Sequence, residues 1–403
     1  MSAETIQGNE PQYSKTRVRL ILAALVLYMI VYGFGIFKLI PMQDAIMNFF
    51  HINEGAYGYL STAQNWVVMV GAVPMGFMVR KFPCRWTFPA GFLVAAIGVL
   101  VQITTHTYLI FVIGRMIEGA GTGFIMLSGY SLILNLVPDN RKGLWSSILV
   151  VCAVLPQIAI TKGGTALMTA TGMTFQTVFG ILGAMYVVAL ILWVLIVPSS
   201  LKVHGVASSQ KATREQTLRV YKNPSVWLTS IALIFFTLVS NVFSVYVVRF
   251  LMLKGMERAS AASTYSLMTI LGTISMVVIG FLADKLGTKR KIAIVGFLVC
   301  ALAMFLLAKL PVNLIFIYVI LFGTFPRGTV GLTNAAASEL AEVPSDVPIV
   351  TSLKNMILQI GNVTGGILIG YLIQFKGYEF TSMALGCGCI IGAICWFFAK
   401  RVK

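Results

Sequence analysis

The chain has 403 residues, of which 58% are hydrophobic and 11% charged, with a net charge of +17. Soluble domains carry roughly 25% charged residues, so this balance excludes a soluble protein. Apolar runs of about 18 or more residues, each able to cross about 30 Å of hydrocarbon as a helix, recur along the whole length.

In chain order these runs cover 18–40, 55–79, 87–105, 107–135, 144–168 and 174–197, then 226–250, 260–283, 291–309, 312–337, 349–373 and 380–399. Backbone groups inside lipid have no water to bond, so the runs are expected to be helices. The expected fold is an all-α integral membrane bundle of twelve transmembrane helices, arranged as two six-helix pseudo-repeats. The first run follows Lys15, Arg17 and Arg19 but is too long for a signal peptide and lacks a small-residue cleavage site, so it reads as a retained helix. The domain reading is a 1–17 tail, an 18–197 bundle, a 198–225 linker, a 226–399 bundle and a 400–403 tail. The linker, "PSSLKVHGVASSQKATREQTLRVYKNPS", is polar and basic and is bounded by prolines.

Most Lys and Arg residues fall in the tails, the linker and the loops on one side. The positive-inside rule then puts both termini in the cytoplasm of a cell membrane, of bacterial inner-membrane type, and accounts for the basicity without nucleic acid. The six cysteines have no ligand-like spacing beyond a weak "CGC" at 387–389 and are expected to be free thiols; no metal or cofactor is expected. His51, His106 and His204 lie in loops or at span edges, and no HExxH, GxSxG or phosphate-cradling glycine loop occurs, which counts against a membrane-embedded enzyme and a single-chain ATP-driven pump.

Two stretches are equivalent in the two halves: "GFMVRKFPCRWT" (76–87) after the second run and "GFLADKLGTKRK" (280–291) after the eighth. The second resembles the loop signature G-x-L-A-D-[RK]-x-G-[RK]-[RK] of the major facilitator superfamily through Gly280, Leu282, Ala283, Asp284, Lys285, Gly287, Lys289 and Arg290. "GRMIEGAGTG" (114–123) is similar to the superfamily's R-x-x-x-G-x-G through Arg115, Gly119 and Gly121. In the first-half loop Arg80 and Pro83 stand in place of the signature Asp and Gly. "VLPQIAITKGG" departs from the exchanger pattern G-P-x-x-G-G, which counts against a drug exporter. The resemblance implies twelve helices around a central cavity, transport by alternating access, and a monomer.

Arg115 and Glu118 share one helix face inside an apolar run. An intramembrane charge costs at least about 2.5 kcal/mol on insertion scales, so it should meet a partner or a watery cavity. They read either as a pair that fixes helix packing or as substrate and proton elements, with Glu118 the protonatable member. Arg327, in "GTFPRGTVG" of the tenth run, lies in the span whose repeat position is equivalent to that of Arg115's span. Two guanidiniums against one carboxylate favour a small anionic substrate, an organic carboxylate or an inorganic oxyanion such as nitrate or cyanate, driven by protons or by exchange. A cation or drug exporter of the same superfamily is the alternative. Tyr28, Tyr32, Gln157, Asn241, Gln359 and Asn362 lie at mid-helix depth and could complete the site. Lys38, Lys162 and Lys354 read as cations snorkelling to the surface. For the cytoplasmic gate, "SELAEVPSDVP" (338–348) supplies Glu339, Glu342 and Asp346 as partners for Arg80, and Asp284 faces Arg141 and Lys142.

Overall fold

A computed structural model describes residues 15–137, 139–197, 214–324, 337–343 and 346–399. It is a bundle of helices, and each predicted span has a helix in it, the tenth being described only as far as Thr324. In the first half α1 (Lys15–Phe37), α3 (Glu54–Lys81), α4 (Cys84–Thr104), α5 (Tyr108–Leu136), α6 (Asp139–Thr171) and α7 (Phe175–Ile196) follow the six runs, with a short α2 (Gln43–Phe50) on the far face from the termini. In the second half α8 (Arg214–Lys222) ends the linker, and α9 (Pro224–Thr237) with α10 (Val247–Leu253) forms the seventh span. They are followed by α11 (Arg258–Leu286), α12 (Lys289–Lys309), α13 (Val312–Thr324), the short α14 (Ala337–Leu340) and α15 (Val347–Phe398).

The elements start where side chains can replace missing helical partners. Asn53 accepts a bond from the Ala56 amide, Thr174 from Thr177 and Asn223 from Ser225, each at an N-cap, and Pro224 then occupies a first-turn position that needs no donor. Three departures from regular helix matter for the site. The chain unwinds at Lys38 and Leu39, inside the run that the sequence carries to Ile40. The seventh span is broken by a π turn at Leu238–Val242 and a 3-10 turn at Phe243–Val245. The last two predicted spans, covered together by α15, are two helical arms that meet at Gly377, whose φ of 79° and ψ of 172° break the helix and suit glycine.

Within the first half α4 packs on α5 and α7, and α1 on α6; within the second α15 packs on α9 and α12. The halves meet where α3 crosses α15 and where α6 meets α11. At the first crossing Gly58 and Gly366 bring two backbones together, and a Cβ on either would run into the other's carbonyl oxygen. Close approach through small residues is how helices pack where lipid gives no hydrophobic drive.

Candidate functional site

A cavity of about 600 Å³ lies between the halves. Its walls include Tyr32 of α1, Gln64 and Asn65 of α3, Thr122 of α5, Gln157 of α6, Ser240 and Asn241 of the π turn, and Gln359 and Asn362 of α15. The sequence-predicted Tyr32, Asn241, Gln359, Asn362 and Gln157 are thus brought together. Ser240, Asn241 and Ser244, at i, i+1 and i+4, share one face of the seventh span and reach the cavity together where the π turn interrupts that span. None of the lining residues carries a formal charge among the described residues.

Arg115 and Glu118 are not in that lining. They sit in the interior of the first half, 1% and 0% exposed. Glu118 is bound on every side: Lys38 Nζ lies 2.9 Å from Oε1 and 2.8 Å from Oε2, and Arg115 NH1 2.8 Å from Oε2. Gln102 Nε2 donates to Oε2 at 2.9 Å and the Tyr186 hydroxyl to Oε1 at 3.2 Å. Arg115 NH1 and NH2 also donate to the Gly35 and Ile36 carbonyls, at 3.0 and 3.1 Å, which the end of α1 leaves without helical partners. A cation at a helix C-terminus is also favoured by the helix dipole. The expectation of Arg115 as a cavity-facing substrate ligand is corrected: it is absent from the cavity lining, and its NH1 and NH2 groups bond Glu118 and the end of α1.

Lys38, expected to snorkel outward, is fully buried on Glu118 and lies over the Phe179 ring at 4.2 Å. The unwinding of α1 turns it inward. Lys354 is likewise buried, at 2% exposure, rather than reaching along α15 to the surface. Tyr28 belongs to an aromatic core with Phe88, Phe92 and Trp193.

Arg327 and the side chains of Arg80, Arg141, Lys142 and Asp284 lie outside the described residues. The predicted acidic partners of Arg80 engage bases of the linker and the second half: Lys289 Nζ is 2.8 Å from Glu339, and Arg219 Nε 2.9 Å from the buried Asp346. Glu342 lines a shallow surface hollow with Arg219 and Lys222.

The ion cluster that joins the halves is on the opposite face, where no gate was expected. Arg249 of α10 reaches Asp44 Oδ1 and Glu54 Oε1, both at 2.9 Å, and Arg258 of α11 reaches Asp44 Oδ2 at 2.6 Å. Tyr378 donates to Glu54 Oε1 at 3.0 Å and Gln43 Nε2 to Oε2 at 2.9 Å. Burial pushes the Glu54 carboxyl above the usual range, with Arg249, Tyr378 and Gln43 pulling the other way. Two acids of the first half and two arginines of the second, all near outer span ends, were the available signal. Which acid meets which base depends on the break in α1 that carries Asp44 inward, and that break is not visible in an unbroken apolar run.

A family model described as Major Facilitator Superfamily matches residues 20–342 and, again, 276–403. The chain belongs to that superfamily. As a member of the Major Facilitator Superfamily it has the superfamily's fold among solved structures. A bacterial homolog of the human lysosomal transporter Spinster, inward-facing and unoccupied, aligns with a TM-score of 0.81 and 15% identity over 97% of this chain and 98% of that one. The nucleoside transporter NupG aligns with a TM-score of 0.73 and 14% identity over 94% of this chain and 100% of that one. No curated protein matches. The chain is thus a multi-pass membrane transporter of the secondary type, with the fold of a carrier rather than of an enzyme.

Proposed function

We propose that the chain moves a small anion across the membrane by alternating access of its 18–197 and 226–399 bundles, driven by protons or by exchange. The observation that supports alternating access is the cavity itself: both halves wall it, and the Asp44, Glu54, Arg249 and Arg258 cluster ties those halves together on one face. A solute held between two bodies is released to one side or the other as they rock. The anionic part of the reading rests on Arg327, which the sequence places in the tenth span between Pro326 and Gly328. In the proton-driven form the buried Lys38–Glu118 pair carries the proton, the Lys38 ammonium lying within 2.9 Å of both Glu118 carboxylate oxygens. The test is uptake into proteoliposomes. Arg327→Gln should lose saturable uptake of organic and inorganic anions while the purified protein keeps its melting temperature; undiminished uptake removes Arg327 from the site.

A second reading, a neutral polar solute, is favoured by the uncharged described lining. The nucleoside carried by NupG, a structural neighbour, is a solute of that kind. Saturable uptake of a neutral solute that is indifferent to Arg327→Gln selects this reading.

A further inference from the structure

Three amides from two spans form a chain along the cavity wall. Asn241 Nδ2 donates to Asn362 Oδ1 at 3.2 Å, and Asn362 Nδ2 donates to Gln359 Oε1 at 2.7 Å. Such a chain has a direction, because each link uses one N–H and one C=O. In this orientation Asn241 ends it with a carbonyl oxygen and Gln359 ends it with an NH₂ group. Turning every amide over exchanges the two ends and still leaves a free carbonyl oxygen at one end and a whole NH₂ group at the other, so the conclusion does not depend on how the amides are assigned. Both end residues line the cavity, Asn241 exposed and Gln359 half-buried. Two more polar atoms of the same wall, Gln64 Oε1 on α3 and Ser240 Oγ in the π turn, lack a hydrogen-bond partner among the described residues, although Gln64 and Ser240 are only 7% and 3% exposed.

We infer that the cargo is an organic solute carrying at least one O–H or N–H donor beside its acceptors, and that the Asn241–Asn362–Gln359 chain selects it over donor-free anions. The inference rests on the transporter reading and names the class of its cargo. Nitrate, cyanate and oxalate offer only lone pairs. They can accept from the donor end but leave the acceptor end facing like charge or stripped of water, and a site built to bond an O–H or N–H discriminates strongly against analogues that lack one. Size agrees, since a cavity of about 600 Å³ falls in the range that holds drug-sized ligands. Val68, Met75, Met126 and Leu127 provide an apolar wall for the carbon body.

Binding to the detergent-purified full chain, measured as thermal stabilisation over a concentration series, tests this with pairs that differ in a donor. Mandelate is compared with phenylacetate for the anionic form and benzamide with N,N-dimethylbenzamide for the neutral one, alongside nitrate and oxalate. The donor-bearing member of at least one pair should bind about 10-fold or more tightly than its partner, and more tightly than nitrate or oxalate. Asn241→Ala, a change at an exposed position, and Asn362→Leu should each bring that ratio close to one. The inference is overturned by a donor-free member binding as tightly, by a ratio unmoved in both variants, or by stabilisation from no member of the panel. Counterflow in proteoliposomes separates the two readings: binding that obeys the donor rule without any counterflow defeats the transporter reading alone, whereas nitrate counterflow without discrimination defeats the donor rule alone.

Discussion

Glu118 is shared between two cations, and the charge count of the cluster decides what each substitution does. Lys38 and Arg115 against Glu118 leave one net positive charge in a dry interior. Glu118→Gln raises that to two and leaves both cations without a counter-charge, which for a broken buried pair costs on the order of 3–5 kcal/mol. Lys38→Met removes one cation and leaves the Arg115–Glu118 pair balanced. The expected order of melting temperatures in detergent is therefore parent, then Lys38→Met, then Glu118→Gln; Glu118→Gln melting above Lys38→Met would show that the acid is not the keystone of the cluster. The sequence displayed only part of this. Arg115 and Glu118, three residues apart on a helix, could be paired on paper, but Lys38 lies 80 residues from Glu118 and its approach is made by an unwound turn. Its burial was invisible because a lysine near a span end usually snorkels.

At the scale of elements, apolar run length carried the reading well, since lipid forces such runs into helices. The breaks were the hard part. The π turn at Leu238–Val242 contains neither Gly nor Pro, whereas the joint between the last two spans falls on a glycine, Gly377. The α3–α15 crossing, by contrast, leaves a trace in the sequence as Gly55 and Gly58 opposite Gly366 and Gly370, each within contact of the other helix. Gly366→Val should hold the crossing apart, because its side chain would meet Thr62 and the Gly58 carbonyl. A Ser61→Cys reporter in the cavity wall, on a background lacking the exposed Cys387, should then label faster from the far side. Equal labelling rates with and without Gly366→Val would mean that the crossing is not what closes that face.

For the whole molecule, the far-face cluster is expected to set the balance between states and to make it depend on pH. Burial raises Glu54 above the ordinary glutamate value of about 4.3, whereas an opened face returns the carboxyl to water. The closed form therefore binds more protons, so acid favours closure; Glu54's contribution is complete below the ordinary value and fades as pH rises through the raised one. Labelling of Ser61→Cys from the far side should accelerate as pH rises through that window, and Glu54→Gln should flatten the profile. Acceleration toward acid instead would reverse the sign and show that the Arg249 pairing outweighs burial. How the halves sit relative to one another could not be read from the chain, because Asp44 and Glu54 find Arg249 and Arg258 only through the packing of four separate elements.

The bend at Gly377 has a mechanical meaning. A loop between two spans is slack, and slack lets each arm relax without informing the other. Here a single residue joins the arm that carries Gln359 and Asn362 to the arm that packs on α12, and Tyr378, immediately beyond the bend, holds Glu54. Gly377 is therefore a pivot at the far face, and the Tyr378–Glu54 bond beside it is the contact expected to set the angle between the arm that lines the cavity and the arm that packs on α12.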